Sequence, residues 1–181
     1  MSSTPSASTP LVVDEAKLYA IAQQCVCFNL RRGARAVTQY FDGLFQPYGL
    51  RATQFSVLGA LAIAAAQERS VSLTQIAEAL VMDRSTLARN LQPLERDGLV
   101  EIALGADRRT RVARLTPAGH ARLAQVIGAW DEGQAHFAAE LGIEQLAEMV
   151  QTIGAVVNAA HKHKGTDQVD TDPGNSEKEE L

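Results

Sequence analysis

The hydrogen-bonding side chains of one short segment offer the clearest chemistry in the sequence. They are two arginines, two hydroxyl residues and one amide: Arg84, Ser85, Thr86, Arg89 and Asn90. Guanidinium, hydroxyl and amide groups can bond the base edges and the phosphates of duplex DNA. Most polar helix faces are simply solvated, so this set predicts a DNA-binding surface only if the surrounding elements support it.

A cluster of arginines follows further along the chain. Arg108, Arg109 and Arg111 lie at or beside the tip of a polar connector that begins at Gly105. Guanidiniums so close together repel one another, and the concentrated negative potential of a narrow minor groove suits one of them. We expect Asp107 to orient Arg109 through a charge-assisted hydrogen bond. The alternative is a hairpin tip that only aids solubility.

Two consecutive helices are predicted around the first group of donors. Ser72 and Gln75 fit a capping box, which begins a short helix that runs to Leu80. A tight break follows at residues 81–82, and Asp83 then caps the second helix.

The second helix has an apolar seam as well as its polar face. Leu87, Leu91 and Leu94 recur at i, i+4 and i+7, which places the donors on the flanks or on the opposite side. We expect Pro93 to kink or break the helix near Gln92, because proline deletes one backbone hydrogen bond and crowds the preceding turn. The N-terminal half, which carries the donors, would stay intact.

The arginine cluster joins two predicted strands. Residues 99–103 and 111–115 alternate in part between apolar and polar types, which indicates a hairpin. Helix, turn, helix and arginine-tipped hairpin form a winged helix-turn-helix, which places its second helix in the major groove and its wing against the neighbouring minor groove. The predicted fold class is therefore mainly α, with a winged helix-turn-helix DNA-binding lobe, a small β-hairpin wing and a helical dimerisation lobe.

Residues from about 50 to 125 resemble the MarR family of winged helix-turn-helix transcription regulators. Five stretches in the family's order carry the resemblance: Leu73-Thr-Gln-Ile-Ala-Glu-Ala-Leu80, Asp83-Arg-Ser-Thr-Leu-Ala-Arg89, Leu94-Glu-Arg-Asp-Gly-Leu-Val100, Asp107-Arg-Arg109 and Leu115-Thr-Pro-Ala-Gly-His120. Several linked motifs in order are far more specific than any one of them.

The resemblance implies a homodimeric DNA-binding regulator, usually a repressor, that responds to a ligand or an oxidant. The expected partners are duplex DNA with an inverted-repeat operator, a second copy of the chain and a small-molecule inducer. By position the family implies four recognition-helix contacts and a wing pair: Ser85, Thr86, Arg89 and Asn90, then Asp107 and Arg109. Arg84 and Arg111 complete the predicted DNA-binding set.

The whole chain is acidic, whereas the predicted DNA-binding segment is basic. The formal net charge is −4, and the pI is about 5.6. Residues 83–122 hold eight arginines against five acids, a balance of +3, whereas residues 163–181 hold two lysines against six acids, a balance of −4. The field near the phosphates depends on local charge, so the acidic total does not exclude DNA binding.

The length of 181 residues suits one domain made of a DNA-binding lobe and a dimerisation lobe. No signal peptide and no membrane span are expected, which predicts a cytoplasmic protein. The expected divisions are a disordered leader at 1–13, a MarR-type winged-helix domain at 14–162 and a disordered acidic tail at 163–181. Within the domain we expect the DNA-binding lobe at about 50–116 and dimerisation helices at about 14–46 and 117–162.

The flanking helices carry more apolar surface than one lobe can cover. We expect one continuous helix from Asp14 to about Gln46, and a further long helix that begins at Thr116 and Pro117. The expected apolar stripe of the latter is Leu123, Ile127, Trp130 and Phe137. Packing against a second copy would bury such stripes and supply the two-fold symmetry that paired half-sites require. The alternative is an ordinary helical core.

The two cysteines have a structural and a reactive interpretation. On one helix, Cys25 and Cys27 would point about 200° apart, which argues against a disulfide between them. Their place in apolar stripes favours a structural role. The stretch Cys27-Phe-Asn-Leu30 nevertheless resembles the cysteine segment of the family's hydroperoxide-sensing branch, in which an oxidised thiolate releases DNA. A thiol-based oxidant-sensing repressor that uses Cys27 is therefore an alternative.

Other chemistry is sparse in the sequence. It contains no P-loop, GxSxG, HExxH or glycine-rich dinucleotide turn, so we expect no enzyme and no cofactor. His161 and His163 are two residues apart and would need further ligands, so no metal site is expected. A winged helix that contacts another protein is the remaining alternative.

Overall fold

A computed structural model describes residues 14–166 and the side chains of residues 14–162. The predicted leader and almost all of the predicted tail lie outside this range. The helices are α1 (Glu15–Gln24), α2 (Val26–Phe45), α3 (Ala52–Ala66), α4 (Leu73–Ala79), α5 (Arg84–Arg96), α6 (Pro117–Leu141) and α7 (Ile143–Thr166). The strands are β1 (Val71–Ser72), β2 (Val100–Leu104) and β3 (Arg111–Leu115). The chain forms two compact units, one that ends at Trp130 and one that begins at Asp131.

The first unit contains a small antiparallel sheet in the order β1-β3-β2. The predicted hairpin is present, with Val100 opposite Leu115 and Leu104 opposite Arg111. β1 adds a third strand that the sequence analysis did not predict, and Val71 lies opposite Ala113 in it. The wing is therefore anchored along β3 to the chain just before α4.

The core of the first unit forms around α3, which packs against α2, α4, α5 and β3. Val57 and Leu58 of α3 are fully buried, and the predicted seam of α5 is buried beside them. Because Leu87, Leu91 and Leu94 face this core, the opposite side of α5 is directed outward.

The predicted helix starts are confirmed at atomic detail. The Ser72 hydroxyl accepts a hydrogen bond from the Gln75 backbone N–H at 3.2 Å, and the Gln75 side chain accepts from the Ser72 backbone N–H at 2.9 Å. Asp83 caps α5, and Pro117 is the first residue of α6. Local capping chemistry therefore sets the starts of the helices that matter for the site.

The prediction of one continuous first helix is wrong, and so is the alternative that α5 breaks at its proline. The first helix is interrupted at Cys25, whose extended backbone (φ −71°, ψ 113°) separates α1 from α2. By contrast, α5 is not broken near Gln92 but continues through Pro93 to Arg96. Leu91 and Leu94 on either side of the proline are buried, and their packing holds the helix together across the lost backbone bond.

The apolar stripe predicted on α6 is not the side of the helix that is buried within the described chain. Ile127 and Trp130 are 44% and 37% exposed, whereas Val126 is fully buried and Ala129 nearly so. Val126 and Ala129 are apolar too, so hydrophobicity alone does not show which side of α6 is buried. Ile127 and Trp130 therefore lie on the surface of the described chain, so the expectation that a second copy covers this stripe stays a prediction.

The second unit contains the C-terminal part of α6 and all of α7. Helix α7 extends to Thr166, so residues 163–166 are helical and the tail does not begin at residue 163 as predicted. Ile143, Met149, Val150 and Ile153 of α7 are exposed.

No single helix within residues 14–166 is long and apolar enough to cross a membrane. The segments Val26–Tyr48 and Ala52–Ala66 meet that criterion only when taken together, and they are bent by 76° relative to each other.

Candidate nucleic-acid interface

The turn between α4 and α5 sets the geometry of the predicted DNA-binding helix. The Val81 N–H donates to the Glu78 carbonyl at 3.1 Å, and the Met82 N–H donates to the Ala77 carbonyl at 2.8 Å. Val81 adopts a left-handed backbone with φ 52°, which reverses the chain within one residue. We call helix α5 the recognition helix.

Asp83 organises the first turn of the recognition helix. Its Oδ1 accepts from the Ser85 hydroxyl at 2.5 Å and from the Thr86 backbone N–H at 2.8 Å, and its Oδ2 accepts from the Thr86 hydroxyl at 2.6 Å. The hydrogen bonds from the Ser85 and Thr86 side chains, and then from the Thr86 backbone, hold the pKa of Asp83 far below its ordinary value. Asp83 therefore stays a carboxylate, and the two hydroxyls point toward the helix start.

Thr86 links this cap to the predicted base-contacting arginine. Nη2 of Arg89 donates to the Thr86 hydroxyl oxygen at 3.0 Å, which holds the guanidinium along the outer face of the helix. The series of hydrogen bonds from Asp83 through Thr86 to Arg89 restricts the arginine before any ligand is bound. This restriction lowers the conformational entropy that Arg89 loses when it later contacts a ligand.

The predicted recognition residues all lie on one helix, but they differ in how exposed they are. Arg84, Ser85 and Arg89 are exposed, as a contact with DNA requires. Thr86 is half-buried and serves mainly as the link described above. Asn90 is also half-buried, and its amide nitrogen donates to the Thr86 carbonyl at 2.9 Å, so it is the least available of the set.

The tip of the wing is held by Asp107. Its Oδ1 accepts from the Arg109 N–H at 3.1 Å, from the Thr110 N–H at 2.9 Å and from the Thr110 hydroxyl at 2.7 Å. The bonds from the Thr110 side chain and backbone, with a smaller contribution from the Arg109 backbone, lower the pKa of Asp107. The carboxylate therefore fixes the backbone of the turn.

The predicted bond between Asp107 and the Arg109 guanidinium is not formed. In the described residues the only ion pair is Arg96–Asp97, and the Asp107 oxygen is occupied by backbone and hydroxyl donors instead. Asp107 orients Arg109 through its backbone, and the guanidinium projects into solvent. Sequence spacing indicated that these residues interact but not through which atoms.

The base of the wing is joined to α6 by a very close contact. The Thr116 hydroxyl donates to the Gly98 carbonyl at 2.6 Å and accepts from the Gly119 N–H at 3.0 Å, while the Thr116 N–H donates to the Leu99 carbonyl at 3.1 Å. A Cβ on Gly119 would lie 2.0 Å from the Leu99 carbonyl oxygen. The stretch Leu115-Thr-Pro-Ala-Gly-His120 supported the family resemblance, but its role as an anchor of the wing was not predicted.

The cysteines occupy the break between α1 and α2. Cys25 is the N-cap of α2, and its sulfur accepts from the Phe28 N–H at 3.5 Å, while its carbonyl accepts from the Asn29 side-chain amide at 3.0 Å. Cys27 is exposed, and both cysteines are free. The argument from a shared helix against a disulfide therefore does not apply to this structure.

The described part of the chain offers no metal site. It contains no cluster of three or more histidine, cysteine or acidic side chains that could hold an ion.

The geometry defines a class of protein. A recognition helix with a buried apolar seam and an exposed polar face, followed by a three-stranded sheet with an arginine-tipped wing, is a winged helix-turn-helix of the DNA-binding type. A sequence profile of the MarR family matches residues 48–110. None of the curated protein sequences compared with the chain matches it significantly.

Solved structures extend the match over most of the chain. The transcriptional regulator MosR of M. tuberculosis in complex with DNA is 32% identical, with a TM-score of 0.68 over 77% of this chain and 98% of that one. A second MosR structure is 29% identical, with a TM-score of 0.65 over 76% of this chain and 98% of that one. BpsR of Bordetella bronchiseptica, whose DNA binding is regulated by 6-hydroxynicotinic acid, shares the fold at 22% identity, with a TM-score of 0.64 over 75% of this chain and 94% of that one. The chain belongs to the MarR family of transcription regulators.

Proposed function

We propose that this protein is a homodimeric, sequence-specific repressor that binds an inverted-repeat operator and is released by a small-molecule ligand. In this proposal the chain acts in the cytoplasm, where its DNA lies. The DNA-contacting residues are those of the recognition helix and the wing: Arg84, Ser85, Thr86, Arg89, Asn90, Asp107, Arg109 and Arg111.

The observation that carries the proposal is the position of the Arg89 guanidinium. It lies on the exposed face of a helix whose opposite face is buried in the core, and it donates a hydrogen bond to the Thr86 hydroxyl. An arginine that is preorganised and projects from such a helix can bond the O6 and N7 of a guanine in the major groove. The hydrogen bond to Thr86 also reduces the number of conformations that Arg89 must lose on binding.

Dimerisation is supported by exposed apolar surface in each unit taken by itself. In the first unit Leu18, Ile21 and Phe28 are exposed, and in the second unit Val150 is 62% exposed. Large apolar side chains left on the surface of one chain indicate a contact with another. A second copy also supplies the two-fold axis that an inverted repeat needs.

Repression and release by a ligand rest on family membership. BpsR shows that a ligand can regulate DNA binding by this fold. A ligand that binds the DNA-free arrangement better shifts the population away from the DNA-binding arrangement, which would release the operator.

The proposal is tested by selecting duplexes from a random pool with purified protein and sequencing those retained. We expect an inverted repeat whose half-site centres are about 10 bp apart. Arg89→Ala should lose discrimination at particular base pairs, by about 1–3 kcal/mol for a bidentate guanine contact. Arg114→Ala is the matched control, because Arg114 is exposed on β3 and is not part of the proposed interface.

Two outcomes would contradict the proposal. Unchanged affinity and preference in Arg89→Ala would show that α5 does not make base contacts. A sedimentation experiment at micromolar concentration that shows only a species near 19.4 kDa would exclude the dimer. A third result bears on the alternative of a winged helix dedicated to protein contact. That alternative is excluded if the wild-type protein binds DNA and a variant without the wing arginines does not.

A thiol-based oxidant sensor that uses Cys27 is the second candidate. The observation that favours it is the break at Cys25, which leaves Cys27 exposed in the first turn of α2. A hydroperoxide would convert the Cys27 thiolate to a sulfenic acid and itself become an alcohol. The structural role of the cysteines remains our first expectation, since Cys25 already caps α2.

A further inference from the structure

One arginine of α6 lies on the buried side of its helix. Arg122 is half-buried, Gly119 one turn before it is buried, and Val126 one turn after it is fully buried. Residues three and four positions apart share one face of a helix, so the three side chains point the same way. A guanidinium on such a face loses water, and this is costly unless a hydrogen-bond acceptor replaces it.

The acceptor is a backbone carbonyl of the corner between α2 and α3. A short 3₁₀ helix (Gln46–Tyr48) forms this corner, and Gly49 ends it with a left-handed backbone of φ 69°. Nη1 of Arg122 donates to the Tyr48 carbonyl oxygen at 2.6 Å, although the two residues are 74 positions apart in sequence. Arg122 therefore bonds the last carbonyl of the corner, at the point where the chain turns into α3.

The corner is a firm point of attachment. Oδ1 of Asp42 accepts from the Ala52 N–H at 2.7 Å, and the Leu50 N–H donates to the Phe45 carbonyl at 3.3 Å. We call α3, α4, the recognition helix and the sheet the winged lobe. Because α3 begins directly after the corner and packs against α4, the recognition helix and β3, a bond to the corner is a bond to the winged lobe.

Helix α6 is thus attached to the winged lobe at two points. At its start, the Thr116 hydroxyl and N–H bond the Gly98 and Leu99 carbonyls at the base of the wing. Arg122 bonds Tyr48 six residues further on, which is about 9 Å along the helix axis. A single attachment leaves a pivot, whereas two separated attachments fix the angle between α6 and the lobe.

We propose that Arg122 is a positioning residue that sets which half-site spacing the dimer accepts. In a dimer held through the flanking helices, the angle between α6 and the winged lobe determines where each recognition helix lies. The inference rests on the proposed function and adds to it, since Arg122 contacts no DNA in this account. Loss of its bond should widen the range of accepted spacings and leave the base preference of each half-site unchanged.

The test uses duplexes that carry the selected inverted repeat with its spacing shortened or lengthened by one or two base pairs. Each base pair rotates one half-site by about 34° relative to the other. Wild type must break the Arg122 bond to follow this rotation, and a hydrogen bond from a charged group is worth roughly tenfold or more in an equilibrium constant. Arg122→Met keeps the apolar stem but has no bond to break, so its preference for one spacing should fall by this factor.

Two further variants separate positioning from general damage. In Arg122→Lys the ammonium can still donate to the Tyr48 carbonyl, so part of the spacing preference should return. Arg114→Gln is the matched control, because Arg114 is exposed on β3, and it should keep the wild-type preference. All variants should bind a duplex with a single half-site as wild type does. Circular dichroism and sedimentation verify folding and dimerisation, and if Arg122→Met does not fold, Arg122→Gln takes its place.

The outcomes separate this inference from the proposed function. A broadened spacing preference in Arg122→Met, with unchanged binding to the single half-site and partial rescue by lysine, supports the inference. An unchanged spacing preference overturns it and leaves the proposed function standing. An equal loss of affinity for every duplex also overturns it, and shows that Arg122 only maintains the fold. If wild type is a monomer or accepts every spacing equally, the proposed function fails together with the inference.

Discussion

Replacing Gly119 by alanine should destabilise the protein by disrupting the anchor between α6 and the wing. The added Cβ would lie 2.0 Å from the Leu99 carbonyl oxygen, and real Cβ contacts are essentially never shorter than 3.0 Å. Either the start of α6 or the Leu99 carbonyl must therefore move by about 1 Å. Leu99 is the residue before β2, so the displacement reaches the base of the wing.

The magnitude follows from the contacts that must give way. Overpacking costs about 1–3 kcal/mol. Weakening the two bonds from Thr116 to the Leu99 carbonyl, at 3.1 and 3.2 Å, costs about 1–2 kcal/mol more. Alanine recovers at most about 1 kcal/mol of helix propensity. We expect a net loss of about 1–4 kcal/mol, which corresponds to roughly 2–16 °C in melting temperature for a chain of this size.

The assay is urea unfolding followed by circular dichroism at a fixed protein concentration, since the proposed dimerisation would make apparent stability depend on concentration. Gly59→Ala is the matched control, because Gly59 lies inside α3 and a Cβ there meets nothing within 4 Å. It should be neutral or stabilising by up to about 1 kcal/mol. If Gly119→Ala is as stable as wild type, the close contact does not exist and the account of the wing anchor is wrong.

Two further predictions concern the wing and the cysteines. Asp107→Ala should weaken binding to all sequences although it removes a negative charge, because Asp107 orders the Arg109 and Thr110 backbone; tighter binding in a fluorescence titration would show that the wing is only a diffuse positive patch. The pKa of Asp107 is lowered, so its carboxylate stabilises the turn fully at pH values above the ordinary pKa of an aspartate. This stabilisation is lost as pH falls through the lowered pKa of Asp107. Titrating reduced protein with an organic hydroperoxide should leave operator binding unchanged; dissociation that thiol reverses and that Cys27→Ser abolishes would establish the oxidant sensor instead.

Several features of this protein follow from local sequence alone. Ser72 and Asp83 begin their helices as predicted, because a capping side chain bonds backbone N–H groups only two or three residues away. The buried seam of α5 was predicted from the spacing of its leucines, since one apolar face of a helix must point to a core. The order of motifs was enough to identify the family.

Other features depend on contacts between distant segments. β1 has only two residues and no strand signal of its own, and it forms because Val71 meets Ala113 of β3. Both stripes of α6 are apolar, and packing decides that Val126 is buried while Ile127 is not. The continuation of α5 through Pro93 likewise depends on the burial of its neighbours.

The functional site shows the same division. Residue types and spacing identified Arg84 and Arg111, but only tertiary packing brings them together with Thr74 of α4 around one crevice. The partner of Asp107 was also decided by the fold, since the turn places backbone N–H groups closer to its carboxylate than the Arg109 guanidinium. Local rules act over a few residues through the backbone, whereas distances between side chains of separate elements are set by how those elements pack in the core.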